Sequence, residues 1–145
     1  TKECEVRIPD ADKIPRILRE TREWLDIYFS GKIPDFTPAL APQGSDFRKM
    51  VWEELLKIPY GCTITYGQIA KQVADRKGIS RMSAQAVGGA VGHNPIGIII
   101  PCHRVVGTGG NLTGFGGGIR TKEALLKLEG MDMGRFYIPK KGTAL

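Results

Sequence analysis

Ser83-Ala84-Gln85-Ala86-Val87-Gly88-Gly89-Ala90-Val91 is the stretch whose reading sets the architecture of this 145-residue chain. Ser83 suits a helix N-cap, and Ala84, Val87, Gly88 and Val91 recur at helical spacing. Almost no bulky side chain is present. Gly88 and Gly89 each cost about 1 kcal/mol relative to alanine inside a helix, so something is expected to approach this backbone closely. Upstream, Tyr66, Ile69, Ala70 and Val73 stand at i, i+3, i+4 and i+7 and mark a short amphipathic helix behind Thr63-Ile64-Thr65. Two short helices joined by the connector from Asp75 to Met82 form a helix-turn-helix pattern.

Further upstream, Ser45 or Asp46 caps a helix carrying Phe47, Met50, Val51, Leu55 and Ile58 on one face, which Pro59 ends. Before it, residues 33–44 carry Pro34, Pro38 and Pro42, forbid regular helix and read as a surface linker. This gives a division into residues 1–44, a reduced N-terminal subdomain with its linker, and residues 45–145. Within the first part, a helix is expected from Asp12 to Gly31. Asp12 caps it, Pro15 lies in the first turn, and Ile14, Leu18, Leu25 and Tyr28 form its apolar face.

Downstream, Ile96 to Ile100 with Pro101 reads as a buried extended run leading into Cys102-His103-Arg104-Val105-Val106. Seven glycines between Gly107 and Gly118 then form a loop. They match neither GxGxxG nor GxxxxGK[ST], which excludes a nucleotide-phosphate site. A last helix, Thr121 to Glu129, is closed by Gly130 at C′.

The length suits one compact unit, or one domain with a small appendage. With 41% hydrophobic and 25% charged residues, the composition excludes wholesale disorder. A formal net charge of +6 favours polyanions; equally, Lys122, Lys127, Lys140 and Lys141 could simply solvate helix faces. Three cysteines with no CxxC spacing suggest neither a disulfide framework nor a zinc site and fit a reducing cytosol. No apolar run reaches bilayer length, and the N-terminus has no basic-then-apolar leader.

Cys102 beside His103 is the constellation with chemical potential, because a thiol becomes a strong nucleophile where a base or positive charge favours thiolate. The competing reading is an inert buried cysteine. Arg104 adds positive charge, and Glu129 is a carboxylate that could orient His103 in a nucleophile, base and orienter arrangement.

Ile100-Pro101-Cys102-His103-Arg104-Val105 resembles the IPCHRV signature of the O6-alkylguanine-DNA alkyltransferases. The resemblance extends to Ala86-Val87-Gly88-Gly89-Ala90, His93-Asn94-Pro95, Gly114-Phe115-Gly116-Gly117 and Leu126-Lys127-Leu128-Glu129-Gly130. These motifs are co-linear across about Leu25 to Gly130. It implies an α/β fold, mainly α in the core, with a winged helix-turn-helix domain that binds the minor groove and rotates the damaged guanine into a pocket.

The roles that follow from the resemblance are specific. Cys102 is the nucleophile, His103 its base through a water, and Glu129 the group holding the imidazole. Asn94 fixes the turn joining the recognition helix to the active-site strand. Tyr66, for which core packing is the alternative, presses on the phosphate 3′ to the target and donates to the guanine. Tyr66, Ser83, Ala84, Gln85, Ala86, Gly88, Gly89 and Arg104 meet DNA, with Arg104 also tying the active-site turn to its surroundings. Val105, Val106, Phe115, Gly116 and Gly117 line the substrate pocket.

The implied activity is direct-reversal DNA repair, a single-turnover S-methyltransferase moving the alkyl group from O6-alkylguanine, and conceivably O4-alkylthymine, to Cys102. No cofactor and no metal are expected. The expected partner is double-stranded DNA containing alkylated guanine, without a membrane, for a monomer in the cytoplasm (nucleoid-associated in a prokaryote). Gln85 stands where many relatives carry an intercalating arginine, and Phe115 where a tyrosine is common. The N-terminal part is short for the α/β subdomain relatives commonly carry. Cys4 and Cys62 are expected to have no catalytic role.

Three other readings compete. A lesion-binding protein that flags alkylguanine without reacting would not need Cys102. A Cys-His hydrolase leaves the paired glycines unexplained. A transcription factor would need base-reading side chains that Ser83 to Val91, with Gln85 its single long polar residue, does not supply.

Overall fold

The computed structural model describes residues 14–139. Asp12 and Cys4, each given a role or denied one above, lie outside the described residues. The chain divides into two compact units between Leu40 and Ala41.

In the first unit, α1 (Arg16–Phe29) begins at Pro15 and stops at Ser30, with Gly31 in the left-handed region at φ 83°. The expected apolar face is only partly realised. Leu18 is 56% exposed, and the ordered pair is Trp24 stacked on Tyr28 with ring centroids 5.3 Å apart. Aromatic side chains one turn apart on a helix gain this contact locally.

The second unit is mainly helical. Its helices are α2 (Asp46–Leu56), α3 (Tyr66–Lys77), α4 (Ala84–Gly92) and α5 (Ile119–Leu128). Its one sheet pairs β1 (Ile64–Thr65) with β2 (Val105–Val106) in parallel, Ile64 opposite Val105. Side chains define the helix starts: Ser45 accepts from Arg48 N, Ser83 accepts from Ala86 N, and Thr65 with Gln68 forms a reciprocal capping box. Gly78, at φ 67°, ends α3, and Gly130, at φ 81°, occupies the C′ position after α5.

Helices α2, α3 and α4 pack on one another around Val51, Leu55, Ile69, Val73, Val87 and Val91, each at most 2% exposed. Burial of six such side chains is the main driving force for this triangle. Two polar contacts fix its register. Trp52 Nε1 donates to Ala90 O at 2.9 Å, and Arg76 of α3 bridges Glu53 at 2.7 Å and Glu54 at 2.9 Å on α2. A second cluster, Val106, Leu112 and Leu126 with Ile119, Met131, Met133, Phe136 and Ile138, packs beneath α5.

One expectation is corrected. Ile96 to Ile100 is a compact turn, not an extended run: Ile99 N donates to Gly97 O and Ile100 N to Ile96 O. Ile98 sits at φ 71°, a conformation strained for a β-branched residue. The Asn94 side chain spans this turn, accepting from Ile96 N at 3.0 Å and donating to Ile100 O at 2.8 Å. These bonds outweigh the β-propensity of a run of isoleucines, with Pro95 and Gly97 breaking any ladder.

Trp52→Phe keeps the ring in the core but leaves the Ala90 carbonyl without its indole donor. We expect a loss of about 1–3 kcal/mol in denaturant-induced unfolding. A loss within error would show that the hydrogen bond contributes nothing to α2–α4 packing.

Candidate active site

Cys102, His103 and Arg104 form a single 3₁₀ turn, with Pro101 at its N-terminal flank. All three side chains are buried, His103 completely. Because Arg104 continues into β2, the pairing with β1 holds this turn beside the start of α3 and hence beside Tyr66.

Glu129, at the C-terminal end of α5, binds three groups. Its Oε2 meets His103 Nε2 in a short contact, while Oε1 accepts from Arg104 Nε at 2.8 Å and from Gly61 N at 3.0 Å. A carboxylate only accepts, so the imidazole proton facing it resides on Nε2. Burial pushes the His103 pKa down, and the Glu129 contact partly restores it. The ring is therefore neutral at pH 7, with its basic lone pair on Nδ1.

Arg104 also donates to Ile58 O at 2.8 Å and lies over the Tyr60 ring. At 7% exposure its guanidinium is committed inside the protein. It clamps the cysteine turn to Glu129 and to the end of α2, the tying role expected of it above.

The Cys102 thiol is pushed up by burial. The Asn94 amide, the Lys122 ammonium and the backbone amides of Cys102 and His103 act in the opposite direction. Lys122 is 0% exposed and donates to Val105 O and, at 3.0 Å, to Thr113 O. It lies 5.8 Å from the centre of the Tyr66 ring. Burial lowers its pKa to about 8. Tyr66 is buried as well, donates to Thr113 O at 2.9 Å, and has its phenol pKa raised to about 12 by burial and by the Cys102 charge.

Lys122 stood above among the lysines that could simply solvate helix faces, and its burial removes that alternative for this residue. Its signal was present in the sequence: Lys122, Leu125, Leu126 and Glu129 follow i, i+3, i+4, i+7, and all four are buried. A lysine on the apolar face of a helix, in register with a carboxylate, marks a buried polar site.

The remaining residues fall around this centre. Val105 and Val106 are buried, and Val106 belongs to the core cluster with Leu112 and Leu126. Gly116 and Gly117 are exposed and Phe115 is half-buried; a Cβ at Gly116 would stand 4.0 Å from Gly92 O. Tyr66 and Ala84 help wall a cleft of about 240 Å³. Ser83, Gln85, Ala86 and Gly89 are exposed, whereas Gly88 is buried against the helical core. Cys62 is exposed. Among the described residues no group of three or more His, Cys, Asp or Glu is placed to hold a metal ion.

Residues 46–131 match the family model described as the 6-O-methylguanine DNA methyltransferase DNA-binding domain. This chain belongs to that methyltransferase family. The methylated-DNA–protein-cysteine methyltransferase of Methanosarcina acetivorans is 46% identical over 126 residues, covering 86% of this chain and 78% of that protein. The Mycobacterium tuberculosis methyltransferase is 52% identical over 105 residues, covering 72% of this chain and 61% of that protein. The crystal structure of M. tuberculosis OGT in complex with DNA superposes with a TM-score of 0.69 at 47% identity, covering 81% of this chain and 68% of that one. The chain thus spans between about three fifths and four fifths of these methyltransferases.

The buried lysine makes stability depend on pH. Its folded pKa, about 8, lies below the 10.5 of an unburied lysine, so between these values the unfolded chain binds more protons and stability rises with pH. The rise attributable to Lys122 is at most about 3 kcal/mol. In urea unfolding from pH 7.5 to 10, the Lys122→Met variant is expected to lack this rise; parallel profiles for the two proteins would rule the assignment out.

Proposed function

We propose that this protein repairs DNA by direct reversal, moving the alkyl group from O6 of guanine onto Cys102 irreversibly, once per molecule and without a cofactor. The observation that carries the reading is the Cys102 sulfur bonded by the Asn94 side chain and under the charge of Lys122, in the turn whose His103 is anchored by Glu129, in a chain of the methylated-DNA–protein-cysteine methyltransferase family. The sulfur is buried, but its surroundings are polar. An inert core thiol has no use for a buried lysine and a carboxylate-anchored imidazole beside it.

The steps follow from the groups present. Burial keeps the resting thiol protonated, so the nucleophile forms only when a base takes the proton. His103 receives it, directly or through a water, and Glu129 stabilises the resulting imidazolium. Lys122 holds the thiolate by charge. The sulfur attacks the alkyl carbon, the carbon–O6 bond breaks, and its electron pair leaves on the guanine. Tyr66, now donating to Thr113 O, turns its hydroxyl to the base and supplies the proton that neutralises it. Lys122, over the Tyr66 ring, re-protonates that phenol. The thioether is a poor leaving group and the cysteine is not regenerated.

For O6 to meet the sulfur in line, the guanine must leave the stack. The DNA-facing element in this reading is α4, the second helix of a winged helix-turn-helix, laid in the minor groove. A Cβ at Gly89 or at Gly92 would meet no atom of the protein within 4 Å, so the fold does not require glycine there, although each weakens the helix by about 1 kcal/mol. An outside surface approaching this face accounts for both. Gln85, exposed at the first turn, fills the gap left by the flipped base, and Phe115 with Gly116 and Gly117 borders the pocket. Among the described residues no helix is long and apolar enough to cross a membrane. In this reading the protein works as a monomer in the cytoplasm, with the nucleoid in a prokaryote. The non-reacting alternative gains no support from a site this complete.

Intact-protein mass spectrometry after mixing with an O6-methylguanine duplex tests nucleophile and stoichiometry together. One methyl group per chain, on the peptide bearing Cys102 and absent in Cys102→Ser, is expected. Unmodified protein that nevertheless binds the duplex, or more than one product per chain, would overturn the reading.

A further inference from the structure

The exposed face of α4 is bounded by two polar residues. Gln85, Ala86, Gly89, Gly92 and His93 are all exposed and fall on one arc of the helix, while Val87, Gly88, Ala90 and Val91 are buried. Gln85 stands at one end of this arc. His93, the C-cap residue, stands at the other, about 12 Å along the axis at a rise of 1.5 Å per residue.

The His93 ring is oriented by its own helix. Nδ1 lies 2.7 Å from Gly89 O, and a carbonyl only accepts, so Nδ1 carries a proton in every ionisation state that keeps this bond. Nε2 is then directed away from the helix. In the neutral ring Nε2 is solely an acceptor; it donates only when the imidazole takes up a second proton. A ring held this way discriminates between ligands by charge: as imidazolium it offers an N–H and a positive charge to an anionic oxygen.

We propose that His93 is a second DNA contact of α4, binding a backbone phosphate oxygen through Nε2–H, and that DNA binding is therefore coupled to uptake of one proton. The inference rests on the reading of α4 as the minor-groove helix. With Gln85 at the base stack of a groove roughly 6 Å wide, a residue about 12 Å further along a crossing helix reaches the flanking phosphate strand. Histidine is the side chain whose charge changes between pH 5 and 8.

The surroundings leave this charge to the phosphate. No charged residue occurs in α4, in the turn 94–101 or in the loop 114–119 that approaches Gly92. On α2, packed against α4 through Trp52, the charged residues are Asp46, Arg48, Lys49, Glu53 and Glu54. Glu53 and Glu54 are engaged by Arg76 of α3, and Glu54 also by Lys57. The other charged residues of α3 are Lys71, Asp75 and Lys77. Among the described residues no carboxylate forms an ion pair with His93.

The test is fluorescence anisotropy with an unmodified duplex at pH 6 and pH 8 and matched ionic strength. Single-turnover methyl transfer from saturating O6-methylguanine duplex serves as the fold check. The native protein is expected to bind about 3- to 10-fold tighter at pH 6, with a salt slope steeper by about 0.9 for one added phosphate contact. His93→Gln, whose amide donates at any pH, is expected to bind equally at both values, and His93→Ala weakly at both, with transfer at saturation preserved in each. A pH dependence that persists in His93→Gln and His93→Ala, or is missing from the native protein, refutes the phosphate contact. Failure of the native protein to bind duplex at either pH, or to accept methyl, refutes instead the repair reading beneath it.

Discussion

The carboxylate of Glu129 is the joint on which the site depends. One buried residue at the end of α5 receives the His103 imidazole, the Arg104 guanidinium and the Gly61 amide. It thereby ties the last helix to the cysteine turn and to the turn that opens β1. A buried carboxylate is stable only with such a complement, since desolvating it unpaired costs several kcal/mol. Arg104 supplies the compensating charge and, through Ile58 O, carries the restraint to the end of α2. The histidine is thus positioned by the same bonds that keep the fold closed around it.

The second buried charge, Lys122, balances the site in the other direction. Burial drives the Cys102 thiol toward its neutral form and Lys122 toward the neutral amine. The two groups therefore need each other only when the thiol ionises. A site of this kind is quiet at rest, because an exposed, permanently ionised thiolate would meet oxidants and stray electrophiles. In the proposed reaction, proton transfer to His103 would turn on attraction to Lys122 at the moment the sulfur becomes a nucleophile, so the electrostatic gain would belong to the reacting state rather than the resting one.

Much of this was legible in the sequence, and the gaps have physical causes. Helices α2 to α5 follow from periodicity and from the caps read at Ser45, Ser83 and Gly130, because capping and burial act locally and in the same sense. The turn from Ile96 to Ile100 was missed. Its shape is dictated by one side chain, Asn94, bonding to backbone on both sides of a run whose composition alone favours a strand. Lys122 was missed because lysine is so seldom buried that its composition outweighed its position, although its spacing to Leu125, Leu126 and Glu129 placed it on the inner face. Arg104 and Val106 follow Cys102 closely in the chain, yet the guanidinium is bonded to Glu129 and Ile58 O while the valine joins the core cluster with Leu112 and Leu126. Adjacency in the chain therefore says little about which of them faces a ligand.

Helix α4 shows where folding and function pull apart. Gly88 is buried, on the face of α4 that packs against the helical core. Gly89 and Gly92 face outward, touch nothing that a Cβ would disturb, and make the helix weaker than alanine would. Stability is recovered beside them: Ser83 closes the N-terminus, His93 donates to Gly89 O at the C-terminus, and Trp52 clamps Ala90 O from α2. The helix is held rigid from its ends and its inner face, which leaves the outer backbone bare. A bare backbone on a rigid support is what close approach to a nucleic-acid groove demands, since each added methyl group would hold the two surfaces apart.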